Sequence, residues 1–179
     1  MVSRLVVALT LALCVPVAAG AQDLKSSDLA RQLTQLLDSK KLDTVAAADA
    51  QNPGTFVAAM YFPGTQLLVV SAKYTAPALL TELLARKDFR GVYVELSSAS
   101  VQSSRLFVRD AYANGLMVKP SGEQPADSVE TAGKEATFDG GWKKAKITEA
   151  DYLKSYADAD AAYTRVLQSL IAHLKSSGT

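Results

Sequence analysis

Leucines 29, 33, 36 and 37 recur at i, i+4, i+7 and i+8 behind Ser26-Ser27-Asp28. That spacing puts an apolar stripe on one face of a helix, and the three oxygen-bearing residues before it suit a helix start. Asp38-Ser39-Lys40-Lys41 ends the stripe. Two β-prone runs, 44–50 and 55–62, flank Gln51-Asn52-Pro53-Gly54. Proline presets one turn dihedral and glycine accepts positive φ, so the pattern predicts a hairpin. Pro63-Gly64-Thr65 predicts a second turn, leading to a strand over 66–71 with a Leu-Leu-Val-Val centre.

The period then changes. Thr75 suits a helix cap, Pro77 a first helical turn, and Leu79, Leu80, Leu83 and Leu84 a buried helical face ending at Arg86-Lys87. Gly91 precedes a strand over 92–96, and a Ser-rich link over 97–104 leads to another over 105–112. There Leu106 and Val108 alternate with Arg105, Phe107 and Arg109. Asn114-Gly115 predicts a tight turn with residues 116–118 pairing back as a short strand. Residues 119–139 are polar, carry Pro120, Gly122, Pro125 and Gly133, and predict a long loop. Thr148-Glu149-Ala150-Asp151 resembles a capping box opening a helix to about Lys175, with Tyr152, Tyr156, Ala159, Tyr163, Val166, Leu170 and Leu174 as its packing stripe. Consecutive hairpins with one intervening helix predict an α+β fold, an antiparallel sheet or barrel of about six strands with flanking helices and a long C-terminal helix.

The N-terminus adds a compartment. One charge at Arg4, an apolar run over 5–15, Pro16 and Ala19-Gly20-Ala21 predict a cleavable signal peptide over 1–21. The run is too short for a membrane anchor, which needs about 20 residues. Residues 22–179 then form one periplasmic or secreted domain. The signal carries away Cys14, the only cysteine, which excludes disulfide and thiol chemistry from the mature chain. It also carries away Arg4, leaving eighteen basic and eighteen acidic residues. A neutral chain argues against nucleic acid as partner. The one histidine, His173, lies near a helix end, where a surface or capping role fits; ordinary zinc and copper sites cannot be built. Asp158-Ala159-Asp160 reads as a solvated helix face rather than a metal pair. No catalytic residue and no metal ligand is predicted.

The hairpin of Thr44-Val45-Ala46-Ala47-Ala48-Asp49 and Phe56-Val57-Ala58-Ala59-Met60-Tyr61 is followed by a third strand, a helix at 79–84, and a basic turn Arg86-Lys87-Asp88-Phe89-Arg90-Gly91 into a strand. Leu106-Phe107-Val108-Arg109-Asp110-Ala111 supplies a further strand. Over about 29–118 this order resembles the FMN-binding split β-barrel, or pyridoxamine 5'-phosphate oxidase-like, superfamily. The resemblance implies a split barrel, a homodimer with FMN at its interface, and a phosphate site after the third strand. Ser71-Ala72-Lys73-Tyr74-Thr75-Ala76-Pro77-Ala78 is the matching stretch, where Lys73, Ser71 and Thr75 offer one charge and two hydroxyls. The basic pair expected at the helix start is replaced by Ala76, Pro77 and Ala78. Two functions therefore stand side by side: a protein binding FMN or a related planar cofactor, and a non-catalytic periplasmic binding or interaction domain that lacks one. Trp142, in Gly140-Gly141-Trp142-Lys143-Lys144, reads as a loop anchor or an aromatic lid.

Overall fold

The computed structural model describes residues 26–74, 104–118, 126–131, 134–138 and 147–177. The signal peptide expected over 1–21, Thr75, the helix expected at 79–84, the strand expected at 92–96 and Trp142 lie outside them. Helix α1 spans Ser26–Lys40 and buries Leu33 and Leu37 of the predicted stripe, together with Ala30, while Leu29 and Leu36 are partly buried against the core. Helix α2 spans Glu149–Ser176. Thr148 caps it, its hydroxyl accepting from the Asp151 N–H, so the predicted start holds. Tyr152, Tyr156, Ala159, Tyr163, Val166, Leu170 and Leu174 are all buried, as expected of a packing stripe.

Among the described residues six strands lie between the helices: β1 Thr44–Ala48, β2 Thr55–Phe62, β3 Leu67–Tyr74, β4 Ser104–Asp110, β5 Asp127–Thr131 and β6 Lys134–Phe138. They form one antiparallel sheet in chain order. The α+β class, antiparallel pairing and long C-terminal helix follow the sequence expectation. Closure into a split barrel does not appear among the described residues, where β1 and β6 end an open order.

The β1–β2 connection is built as its residues dictate. Asn52 C=O accepts from the Thr55 N–H at 2.9 Å across Pro53 and Gly54, whose φ of 80° is the left-handed value that glycine supplies at the third position of a type II turn. Buried Asp49 accepts from the Gln51 N–H, the Asn52 amide and the Ser169 hydroxyl of α2, tying the hairpin to the helix. The core lies between the sheet and both helices. It takes Val45 and Ala47, Val57, Ala59 and Tyr61, Leu68, Val70 and Ala72, and Leu106 and Val108 from alternate positions of β1 to β4. The intervening positions Ala46, Phe56, Ala58, Val69 and Ser71 are buried too, so this part of the sheet has no wet face.

Two expectations are corrected. Residues 119–139 do not form one loop, because β5 and β6 lie within them. Val129 is the only large aliphatic side chain of β5, and pairing of β5 with Phe107, Val108 and Arg109 of β4 supplies what propensity lacks. Residues 116–118 are not a strand. Their stretch, 111–118, is a compact turn-rich loop between β4 and β5, with Ala113 at φ 50° and Gly115 at φ 86°.

Gly115 also fixes how closely α1 approaches. A Cβ there would lie 2.6 Å from the Ser27 nitrogen and 2.7 Å from its Cα. Both steric space and backbone conformation demand glycine. G115A is expected to destabilise the fold by about 2–4 kcal/mol, measured by urea unfolding, whereas G64A, with open space around its Cβ, should stay within about 0.5 kcal/mol.

Candidate functional site

The 111–118 loop is held by a buried group of carboxylates. Asp110, at the end of β4 and 0 % exposed, accepts from the N–H groups of Tyr112 and Asn114 on Oδ1. Its Oδ2 accepts from the Gly115 N–H at 2.8 Å and from the Tyr163 hydroxyl of α2 at 3.0 Å. Asp127, at the start of β5, accepts from the Ala111 N–H on one oxygen and the Met117 N–H on the other. Asp160 of α2 accepts from the Ser26 hydroxyl, which in turn accepts from the Leu116 N–H. Side-chain oxygens from β4, β5 and α1 thus take the loop N–H groups that no strand ladder uses, which is why residues 116–118 do not pair as a strand.

Asp160 corrects a sequence expectation. Asp158 is a solvated residue paired with Lys154, but Asp160 is 6 % exposed. It lies four residues beyond Tyr156 and three before Tyr163, on the buried stripe itself. His173 is only half-buried, and its main-chain carbonyl accepts from the Ser177 N–H at the helix end. Burial lowers its ring pKa, so the neutral imidazole is favoured rather than a cation.

Burial drives the three carboxylates up. The Asp127 pKa rises to about 6 through burial, reinforced by the charge of Asp110 and opposed by the Ala111 and Met117 N–H groups. Asp110 is raised by burial against the opposition of its four donors. Asp160 is raised by burial, with Asp110 adding to it and the Ser26 hydroxyl opposing. Burial and the neighbouring carboxylates push the Tyr156 and Tyr163 hydroxyls well up, so both stay protonated. Asp127 has a pKa suited to proton exchange near neutrality, yet Asp110, Asp127 and Asp160 line neither the cleft beside α2 nor the three cavities bounded by Thr34 and Tyr61, by Pro63 and Arg109, and by Ala48 and His173. Their oxygens are engaged in holding the 111–118 loop, Asp160 through the Ser26 hydroxyl.

Ser71 and Lys73 stand two apart on β3, so they share the face opposite α2, where Phe56 pairs with Lys73. The Ser71 hydroxyl is enclosed, 1 % exposed, and has no hydrogen-bond partner. Lys73 is half-buried and engaged with other groups. With Thr75 outside the described residues, Lys73 and the enclosed Ser71 hydroxyl are what the 71–78 stretch offers a phosphate, a partial fit to FMN.

On the α2 side, a cleft of ≈ 180 Å³ lies between the sheet end and the helix, lined by Arg105, Arg165, Asp49, Thr55 and Val166 among others. The described residues contain no group of three or more potential ligands placed to hold a metal ion. No described helix is long and apolar enough to cross a membrane. No family model matches the chain, and no curated protein and no solved structure matches it either.

The raised Asp127 pKa has a definite sign in stability. Between the unfolded value near 3.8 and about 6 the folded chain keeps a proton that the unfolded chain has lost. Stability from this group is therefore full below about pH 4 and lost as pH rises through about 6. D127N lacks that gain. Its destabilisation relative to wild type should grow by about 2–3 kcal/mol from pH 7 to pH 4 in urea unfolding, and a pH-independent difference would contradict the shift.

Proposed function

We propose that the mature chain is an exported, non-catalytic binding domain that takes a small molecule in the cleft between the sheet and α2. One observation carries this reading: the buried carboxylates Asp110, Asp127 and Asp160 all accept hydrogen bonds that hold the 111–118 loop, and none lines the cleft. Asp49 does line the cleft, but its oxygens already accept from Gln51, Asn52 and Ser169. The mature chain has no cysteine to act as a thiolate nucleophile. Export rests on the signal-like residues 1–21, and the neutral mature chain fits neither a nucleic acid nor an anionic membrane surface.

A second reading has one observation in its favour, the enclosed Ser71 hydroxyl without a partner on the face shared with Lys73. Here the antiparallel strands are part of a split barrel in a homodimer, and Lys73, Ser71 and Thr75 hold the phosphate of FMN, which supplies redox chemistry when bound. Lys73 contributes charge there and Ser71 a hydroxyl, once a local opening exposes it.

The visible spectrum and solution mass of the purified mature protein separate the two. The binding-domain reading predicts a colourless protein whose Trp142 fluorescence is unchanged by added FMN. A flavin spectrum on a dimer, lost in K73Q, would replace it with the second reading.

A further inference from the structure

We propose that the Arg105–Arg165 cleft is a binding site for a small oxyanion, a phosphate or carboxylate group; this rests on the binding-domain reading and names its ligand class. Arg105 owes its place to a break in the β3–β4 ladder. Ala72 pairs with Leu106 and Lys73 with Ser104, so Arg105 is an extra residue without a partner on β3. A bulge of this kind re-aims the side chain that it frees. Instead of lying opposite Leu106, Arg105 lines the same cleft as Leu106 and the α2 residues. Its guanidinium rests over the Tyr74 ring, 5.4 Å from the centroid, which fixes its direction in advance of any ligand.

Arg165 comes to the cleft from α2. Neither guanidinium has a carboxylate within ion-pair distance among the described residues, where the ion pairs are Arg31–Asp28 and Lys154–Asp158. Two cations at one small cleft repel each other until an anion lies between them. Asp49 is the one carboxylate in the lining, and three donors already hold it to the hairpin and to Ser169. The burial that would raise its pKa is outweighed by those hydrogen bonds, so it stays ionised and sets a specificity: the incoming group must engage the arginines and avoid the carboxylate. Guanidinium forks match the paired oxygens of phosphate and carboxylate, and Thr55 adds a hydroxyl to the lining. The volume, ≈ 180 Å³, suits an anionic head group rather than a whole drug-sized ligand, whose pockets run to about 300–1,000 Å³.

Calorimetric titration of the mature protein with inorganic phosphate, in low-salt buffer free of other oxyanions, tests the assignment. Wild type is expected to bind saturably. R105Q and R165Q should each weaken binding by about tenfold, and K73Q, on the opposite face, should leave it unchanged. Both arginines are exposed, so the variants keep the core intact. Acetate run in parallel sorts the source: tighter phosphate binding marks a phosphoryl ligand, and tighter acetate binding a carboxylate. No saturable binding of either anion, equal binding by the arginine variants, or loss in K73Q would overturn the site. Failure here in a colourless protein removes the oxyanion alone, whereas a flavin spectrum removes the binding-domain reading.

Discussion

A carboxylate buried at the end of β4 is the constraint around which the described structure is arranged. Asp110 has no exposure to water and gathers three loop N–H groups and the Tyr163 hydroxyl on its two oxygens. Burying a charge is expensive unless donors surround it, and here the donors come from a loop that cannot pair as a strand and from the centre of α2. The loop holds α1 in turn. Gly115 permits the close approach of Ser27, and the Ser26 hydroxyl bridges Leu116 to Asp160. Sheet, loop and both helices therefore meet at one polar centre.

That arrangement keeps the three carboxylates with raised pKa values out of the cleft beside α2. Perturbed carboxylates often mark active sites. In this chain they mark a structural lock, because burial shifts them and loop N–H groups occupy them. Two reachable guanidinium groups lie elsewhere, at the cleft where the β4 bulge and α2 bring Arg105 and Arg165 together. Phe138 of β6 packs edge-on against Tyr156 at 4.9 Å and tilted against Tyr152, closing the far side of the sheet onto the start of α2. The cleft thus sits on a frame tied together at both ends of the helix.

Much of this was legible in the residues and some was not. The α1 and α2 stripes, the Asn-Pro-Gly hairpin and the alternation in β4 follow from local spacing, and the structure reproduces them. Strands β5 and β6 carry polar sequences whose pairing comes from neighbouring strands, information that local pattern does not contain. Asp160 looked solvated beside Asp158, although its position on the tyrosine stripe was a signal that it faces inward. Asp110 and Asp127 gave no sign in the local pattern, since Asp110 also takes the Tyr163 hydroxyl 53 residues away and Asp127 takes the Ala111 and Met117 N–H groups sixteen and ten residues away. Arg105 was legible as an exposed residue of β4, but its meeting with Arg165 depends on a bulge and on helix packing.

Amide hydrogen exchange tests the central claim, that buried carboxylates lock the 111–118 loop into the core, most directly. The N–H groups of Ala111, Gly115 and Met117 are each bound to an Asp110 or Asp127 oxygen. They should exchange as slowly as the central amides of β2 and β3, through global unfolding alone. Exchange of Gly115 and Met117 far faster than those strand amides would contradict the account, since the loop would then open on its own.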